Sequence, residues 1–351
     1  MKNQQKVYAN IVGSYAKVET GRNYIEYDNA NTLFKEQFGL SSDKYSLIAE
    51  GIYEKGFTYG SLKFGAKHIQ SFTKQEVQQN GVFKSDLNQM ETSVFSEWNH
   101  SKDKFSCSLG LKANRVHFSN ISINKSYYNF LPKAMLGYRL NENSFIRYDV
   151  EMSQTNPTLV ELTDTEIRLD PYLAERGNLL LKPYSNLNNN LFYEHKKGLF
   201  TFNANLRHHY KHNPIMESVK EQGNIFLIIP ENMKSWNKYN AEMNLKVGMI
   251  KNILQFSLTG GYNHFNSQGN NYSHEYSNFY YSANVLAMYK KWMFIVQIQP
   301  FDEKLYGETV IKSGNYHYLA IQYNTDNFSF GIGAFNPFKN VSRTAVSYTH
   351  L

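Results

Sequence analysis

The residues that could carry out chemistry in this chain are most concentrated at His208-His209-Tyr210-Lys211-His212. Imidazoles bind a metal ion only when they converge on one point. Successive side chains of a strand point to opposite faces, so His208 and His209 would diverge, and we expect a polar rim here. The pair Glu194-His195 lacks the further residues that would mark an acid–base dyad. The sequence therefore predicts no catalytic residue, no metal ligand and no cofactor, and we expect a protein that is not an enzyme.

The single cysteine, Cys107, excludes a disulfide scaffold and a multi-cysteine metal site. It falls on the apolar face of segment 105–113, beside Phe105, Leu109 and Leu111. A thiol in apolar surroundings is unreactive. We therefore expect Cys107 to be a small lipid-facing residue.

The net charge of +7, with 27 Tyr and 24 Phe among 351 residues, is compatible with nucleic-acid binding by charge and base stacking. The aromatic residues nevertheless alternate with aliphatic ones, and several fall near strand ends: Tyr210, Tyr239, Tyr262, Tyr289 and Trp292. In membrane barrels, aromatic side chains collect at those positions, where they meet the two membrane–water interfaces. We therefore predict outer-membrane lipid, and no nucleic acid, as a partner.

The elements that position these residues are strands, because apolar residues recur at every second position. In segment 199–210, Phe200, Phe202 and Leu206 alternate with polar residues such as Asn203 and Arg207. The strands run to about 10–13 residues, which is longer than is usual in globular sheets and suits a tilted membrane-spanning strand. No apolar run approaches the ~18 residues that a membrane-spanning helix needs.

Fifteen strands can be assigned, and the connections between them alternate between long and short. They cover residues 6–17, 43–54, 57–69, 86–98, 103–116, 130–140, 143–153, 186–195, 199–211, 236–248, 252–264, 276–289, 291–300, 315–324 and 327–336. Tight periplasmic turns and long external loops give this alternation in an outer-membrane barrel, whereas the crossovers of a soluble sandwich do not. The sequence therefore predicts an all-β protein, a transmembrane antiparallel up-and-down β-barrel.

Single-chain bacterial barrels have an even number of strands, so the odd count predicts a partial barrel. We expect residues 1–345 to be this partial outer-membrane β-barrel domain, and residues 346–351, which read like a sequencing adapter, to be a non-native tail. The opening residues 1–6 show no apolar core of a secretory signal, which is a further reason to expect a fragment.

One long connection carries a family motif. Its residues are Asn156-Pro157-Thr158-Leu159-Val160-Glu161-Leu162, followed by Asp170-Pro171-Tyr172 and then by Gly177-Asn178-Leu179-Leu180-Leu181-Lys182-Pro183-Tyr184. This order resembles the C-terminal barrel of TonB-dependent outer-membrane receptors, whose loop reads Gly-Asn-Pro-x-Leu-Lys-Pro-Glu. Leu179 and Tyr184 depart from that pattern. The resemblance implies a barrel of about 22 strands, a plug domain inside it and a short box that engages the TonB system.

We expect the motif residues Gly177, Asn178, Leu181, Lys182 and Pro183 to shape the return of the loop into the wall. Gly177 would permit a positive φ at a turn, and Pro183 would hold Lys182 in an extended conformation.

By resemblance, the protein is the barrel portion of a receptor in the cell outer membrane that imports a scarce, bulky ligand such as a siderophore, a cofactor or a glycan. It would meet TonB through the plug region, which this chain lacks. We expect ligand contacts in loops 154–185, 212–235 and 264–275, and we select Tyr172, Arg176, Trp236 and Tyr272 by residue type alone. A passive porin-like barrel and a soluble glycan-binding β protein remain the alternatives.

Overall fold

The computed structural model describes residues 4–28, 31–79, 81–249, 253–300, 302–337 and 345–348. Its regular elements are all strands. They are β1 (Gln5–Asp28), β2 (Asn31–Phe57), β3 (Gly60–Gln78), β4 (Val82–Lys102), β5 (Phe105–Ser119), β6 (Asn124–Asn141), β7 (Ser144–Thr155), β8 (Glu166–Arg168), β9 (Leu173–Arg176), β10 (Tyr184–Lys197), β11 (Phe200–His212), β12 (Ile215–Gln222), β13 (Ile225–Asn232), β14 (Ser235–Met249), β15 (Leu254–Gln268), β16 (Ser273–Tyr289), β17 (Trp292–Gln299), β18 (Glu303–Tyr306), β19 (Thr309–Lys312), β20 (Tyr316–Asn324), β21 (Ser329–Phe335) and β22 (Ala345–Tyr348). Over these residues, no helix has the length and apolar character needed to cross a membrane.

Fifteen of the strands form one antiparallel sheet, which we call the wall. Its order is β1-β2-β3-β4-β5-β6-β7-β10-β11-β14-β15-β16-β17-β20-β21, so each wall strand pairs with the wall strand that precedes it in the chain. All fifteen strands that the alternation predicts are present, and the expected up-and-down connectivity is confirmed. The all-β class is likewise confirmed.

The two faces of the wall differ in polarity, as the alternation predicts. On one face, Arg207 of β11 lies beside Glu242 of β14 (Nη2 to Oε1, 3.2 Å), and Lys112 lies beside Glu91 (Nζ to Oε1, 3.0 Å). On the opposite face, Phe279 of β16 is 84% exposed. Apolar side chains exposed in this regular pattern face lipid in a membrane barrel. We call the polar face the lumenal face and the apolar face the outer face. Cys107, which pairs with Leu136, is buried on the outer face.

Several predicted long loops are instead continuations of wall strands, which corrects the sequence prediction. The expected loop 18–42 is a hairpin in which β1 and β2 pair without interruption up to Glu26, and loop 70–85 is likewise mostly strand. The expected loop 264–275 shrinks to residues 269–272. Polar residues such as Glu19, Arg22 and Asn23 interrupt the apolar alternation in these continuations, while the backbone ladder persists.

Three long connections remain, and they fold into strands of their own: 156–183, 213–234 and 302–315. We call these three segments together the loop cap. Strands β8 and β9 come from the first and β12 and β13 from the second, and they join in a four-stranded sheet of order β12-β13-β9-β8. Within it β13 pairs in parallel with β9 through Phe226–Leu173 and Leu227–Ala174. The third segment contributes the hairpin β18–β19.

Strand β22 pairs with β19 and includes residues 346–348 of the predicted tail. Residues 349–351 of that tail lie outside the described residues. The assignment of 1–345 as a domain and 346–351 as a non-native tail stays a prediction.

The buried apolar side chains collect where the loop cap packs against the lumenal face of the wall. One cluster comprises Leu87, Val116, Phe118, Ile123, Leu159, Leu162, Leu181 and Ile215. A second comprises Met216, Met233, Trp236, Phe265 and Leu305. The cap is therefore a packed structure that is held by burial of apolar surface.

Candidate ligand-binding site

The family motif ties the first cap segment to the second. The Asn178 backbone N–H donates to the Glu161 carbonyl (2.6 Å), and its Nδ2 donates to the Pro230 carbonyl (3.0 Å). Leu181 is fully buried in the first cluster. Gly177 does not adopt a positive φ, contrary to expectation. It is required because a Cβ there would collide with three backbone carbonyl oxygens of residues 160–163.

The end of the motif is held by a single amide. Asn232 at the end of β13 accepts the Lys182 N–H (2.9 Å) and donates from Nδ2 to the carbonyls of Lys182 (3.0 Å) and Asn213 (2.9 Å). The Lys182 side chain is exposed, and Pro183 directly precedes β10. These contacts lie within the loop cap, and the loop-shaping role of the five motif residues stays a prediction.

Trp236 and Tyr272, two of the residues predicted to meet ligand, lie together beneath the hairpin β18–β19. Trp236 is only 7% exposed, and its Nε1–H donates to the Leu305 carbonyl (2.9 Å). Tyr272 packs against the same cluster. The Lys211 ammonium lies 5.0 Å from the Trp236 ring centroid and 5.8 Å from that of Tyr306. Both predicted residues thus anchor the hairpin.

Tyr172 and Arg176, in contrast, lie within the loop cap itself. Tyr172, in the turn between β8 and β9, is 66% exposed. The Nε of Arg176 lies 3.7 Å from Oδ1 of Asp164, and its side chain lines a pocket inside the cap. The structure therefore does not bring the four predicted residues to one point, and their contact with a ligand stays a prediction.

The pocket that Arg176 lines, which we call the cap pocket, lies between the four-stranded sheet and the lumenal face of β3. Its volume is about 170 Å³. Neighbouring strands of the sheet contribute Ile167, Glu175 and Ile228, which are register partners, and β3 contributes Gln75 and Val77. The walls are mostly apolar, with a few polar groups between them.

Burial raises the pKa of the Glu175 carboxyl above its ordinary value; nearby Arg22 acts in the opposite direction and Glu217 adds to the increase. Burial also raises the pKa of the Tyr306 hydroxyl, to about 12. The Tyr306 O–H donates to the Ile215 carbonyl (3.0 Å), so this phenol is neutral and structural.

A larger cavity, the lumenal groove, lies on the lumenal face of β10, β11 and β14–β16, next to the segment that leads into β18. Its volume is about 630 Å³. The polar residues that line it include Asn188, Asn190, Arg207, His209, Lys238, Asn240, Glu242, Asn263, Tyr280 and Asp302. The arrangement offers many donors and acceptors to a ligand, with three basic side chains among them.

The groove residues are positioned by a cross-strand network. Arg207 donates to the Asn240 Oδ1 and the Glu242 Oε1 (both 3.2 Å), and the Tyr280 O–H donates to the Glu242 Oε2 (2.7 Å). Asn240 in turn donates to the Asn263 Oδ1 (2.9 Å). Strand parity in the sequence identifies Arg207 and Lys238 as lumenal, but it does not identify Gln75 or Glu175, because the cap pocket exists only once distant segments pack together.

The histidine cluster is divided between the two faces, as predicted. His208 stacks on Tyr239 on the outer face, with ring centroids 4.5 Å apart, and its Nε2 lies 3.1 Å from the Asn237 Oδ1. His209 lines the lumenal groove. Over the part of the chain that the structure describes, no group of three or more His, Cys, Asp or Glu side chains could hold a metal ion.

Comparison with known proteins agrees with this architecture. The model of the outer membrane protein beta-barrel family matches residues 2–350. No curated protein matches the sequence. Among solved structures, the copper transporter OprC aligns with a TM-score of 0.70 at 10% identity, over 95% of this chain and 57% of OprC.

The ferric yersiniabactin uptake receptor FyuA from Yersinia pestis aligns with a TM-score of 0.64 at 9% identity, over 97% of this chain and 57% of FyuA. The ferripyoverdine receptor of the Pseudomonas aeruginosa outer membrane aligns with a TM-score of 0.63 at 9% identity, over 96% of this chain and 52% of the receptor. The chain thus spans little more than half the length of these proteins.

The chain belongs to the outer membrane protein β-barrel family. It is located in the outer membrane, which excludes the alternative of a soluble glycan-binding protein. The resemblance to the barrel of TonB-dependent receptors is confirmed at the level of the fold. The matched structures are transporters and receptors.

Proposed function

We propose that this chain is the barrel portion of an outer-membrane receptor that binds a scarce, bulky ligand at the loop cap and the lumenal groove and then imports it. The lumenal groove carries this proposal. Its volume of about 630 Å³ falls in the range of small-molecule sites, and the network around Arg207 holds its polar groups in place.

The ligand class follows from relatives of the same fold and from the lining of the groove. The solved structures of this fold include a copper transporter and uptake receptors for ferric siderophores. Arg207, His209 and Lys238 contribute basic groups, Glu242 and Asp302 contribute carboxylates, and four lumenal asparagines add amide donors and acceptors. A metal chelate with several oxygen atoms, or a hydroxyl-rich ligand such as a glycan, suits this mixed polar lining.

Import through such a barrel needs a gate and a source of energy. We propose that the complete protein contacts the TonB system through a plug region that is not part of this chain, and that the outer face of the wall contacts outer-membrane lipid. The sequence motif around Gly177–Pro183 and the shared fold support these partners. The packed loop cap, which covers lumenal side chains such as Val116 and Phe118, further favours a gated receptor over a passive pore.

The test is uptake by cells that express the complete protein. A panel of ferric chelates and oligosaccharides is supplied with and without an energised TonB system. We expect uptake of at least one class to stop when TonB is deleted, because transport through a plugged barrel needs energy. A porin-like barrel would continue to admit the solute.

A pair of variants connects uptake to the groove. Replacing Arg207 and Lys238 together with methionine removes two basic groups from the groove and is expected to weaken binding of the imported ligand at least tenfold. Lys246→Met, on the same lumenal face but outside the groove, is the matched control. Equal binding by both would contradict the assignment of the groove.

A further inference from the structure

The cap pocket contains a buried acceptor that has no donor. Gln75 of β3 is only 5% exposed, and its Oε1 has no hydrogen-bond partner among the described residues. Gln75 lines the cap pocket, opposite the four-stranded sheet. Buried polar atoms in native proteins almost always have a partner, so an unpaired acceptor that lines a cavity indicates that the cavity receives a donor.

A carboxylate lines the same pocket. Glu175 of β9 lies between Ile167 of β8 and Ile228 of β13 in the ladder, and its carboxylate forms neither a hydrogen bond nor an ion pair with any described residue. Glu161, Arg176 and Glu217 also line the pocket, so carboxylates outnumber cations there. Arg176 is oriented by Asp164 and does not pair with Glu175, and nearby Arg22 donates from Nη2 to the Arg168 carbonyl (3.0 Å) rather than to the Glu175 carboxylate.

Most of the remaining lining is apolar, apart from Thr163, Thr165 and the Tyr306 hydroxyl. Val77, Ile215 and Met216 continue the surface that Ile167 and Ile228 begin. A volume of about 170 Å³ resembles that of an engineered apolar cavity of about 150 Å³, which accommodates benzene. The pocket therefore fits a group of about seven heavy atoms that carries one polar end.

We propose that the cap pocket binds the primary ammonium group of an alkyl or aryl amine. The ammonium N–H groups donate to the Gln75 Oε1 and to the Glu175 carboxylate, and the hydrocarbon part packs against Val77, Ile167 and Ile228. A primary ammonium has three donors and no acceptor, so it complements two acceptors that lack donors. The proposal rests on the proposed function in that such an amine is a part of the imported ligand that the cap recognises.

The probes are benzylammonium, the neutral isostere benzyl alcohol and the anion benzoate. Their binding to the purified complete protein in detergent is measured by isothermal titration calorimetry at neutral pH. We expect benzylammonium to bind at least tenfold more tightly than benzyl alcohol, and benzoate not to bind. The proposal is overturned if the three probes bind equally or if benzoate binds most tightly. It is also overturned if none of them binds, which would mean that the pocket is filled by water only.

Two variants separate the two acceptors. Glu175→Gln is expected to abolish the preference for benzylammonium over benzyl alcohol. Gln75→Leu removes the unpaired acceptor and is expected to weaken the binding of benzylammonium at least fivefold. Glu166→Gln, an exposed glutamate of β8 outside the pocket, is the matched control and should bind as the parent does. Unheated electrophoretic mobility shows that each variant retains the folded barrel, and a folded Glu175→Gln variant with unchanged preference would also overturn the proposal.

This experiment is independent of transport. If benzylammonium binds as expected but no solute enters cells in a TonB-dependent manner, the proposed function fails and the site stands. If energised uptake is observed and benzylammonium does not bind, the site fails and the proposed function stands.

Discussion

Replacement of Trp236 by phenylalanine is expected to release the hairpin β18–β19 from the wall. In the parent the indole N–H donates to the Leu305 carbonyl, and both groups are buried. Phenylalanine keeps an aromatic ring but leaves that carbonyl without a donor. An orphaned buried acceptor costs about 1–3 kcal/mol, and the open hairpin would regain water at this carbonyl. The population of the open hairpin should therefore rise by about 5- to 150-fold.

Hydrogen–deuterium exchange of the intact barrel measures this change, because local opening sets the exchange of the amides that pair β18 with β19. Their protection should fall by the same factor, whereas the β14–β15 ladder keeps its protection. Trp292→Phe, at an exposed outer-face position in β17, is the control and should alter neither. Unchanged exchange in the hairpin of Trp236→Phe would refute the view that this hydrogen bond holds the hairpin closed.

Three further predictions concern the cap. Asn232→Ala removes the side-chain amide that hydrogen-bonds to Lys182 and Asn213. Hydrogen–deuterium exchange at the Lys182 amide should accelerate about tenfold, since several hydrogen bonds of about 0.5–1.5 kcal/mol each are lost. An unchanged exchange rate would contradict the bridging role of Asn232. Gly177→Ala places a Cβ against backbone carbonyls and should destabilise the motif loop by about 1–3 kcal/mol. The measurement is hydrogen–deuterium exchange, in which residues 178–182 should lose protection. Unchanged protection would contradict the close approach at Gly177. Burial raises the pKa of Glu175, so its carboxyl should become neutral at a pH above the ordinary glutamate range. Benzylammonium binding, measured by titration at a series of pH values, should weaken as the pH falls through this pKa. If the affinity of the parent does not change with pH, as expected for Glu175→Gln, this prediction is contradicted.

The wall could be predicted from the sequence because the alternation of apolar and polar residues within each single strand reveals it. Away from the loop cap, one face of each wall strand meets lipid and the other meets water, so residue parity alone reveals the strand. β11 shows this in the alternation of Phe202 and Leu206 with Asn203 and Arg207. The prediction weakened where both faces meet water. The continuation of β1 to Asp28 has no apolar alternation, so its strand character depends on the ladder with β2.

The cap pocket could not be predicted, because its residues come together only through contacts between distant segments. Gln75 lies 100 positions before Glu175 and stands in a wall strand, and nothing near it in the sequence marks its amide as unpaired. Selection by residue type favoured Trp236, an aromatic near a strand end. In the structure, the same large apolar surface that suits a ligand is used to pack the hairpin.

The parallel pairing of β13 with β9 affects how antibodies and phage proteins recognise the cell surface. If the loop cap faces outward, an antibody or a phage protein that contacts Phe226 also touches the neighbourhood of Leu173, although these residues lie in different connections of the chain. Epitopes on this part of the cell would then be conformational and shared between two connections. Escape by changing one connection would be limited, since each change must preserve the ladder that the other supplies, and linear peptides from either connection would be poor vaccines.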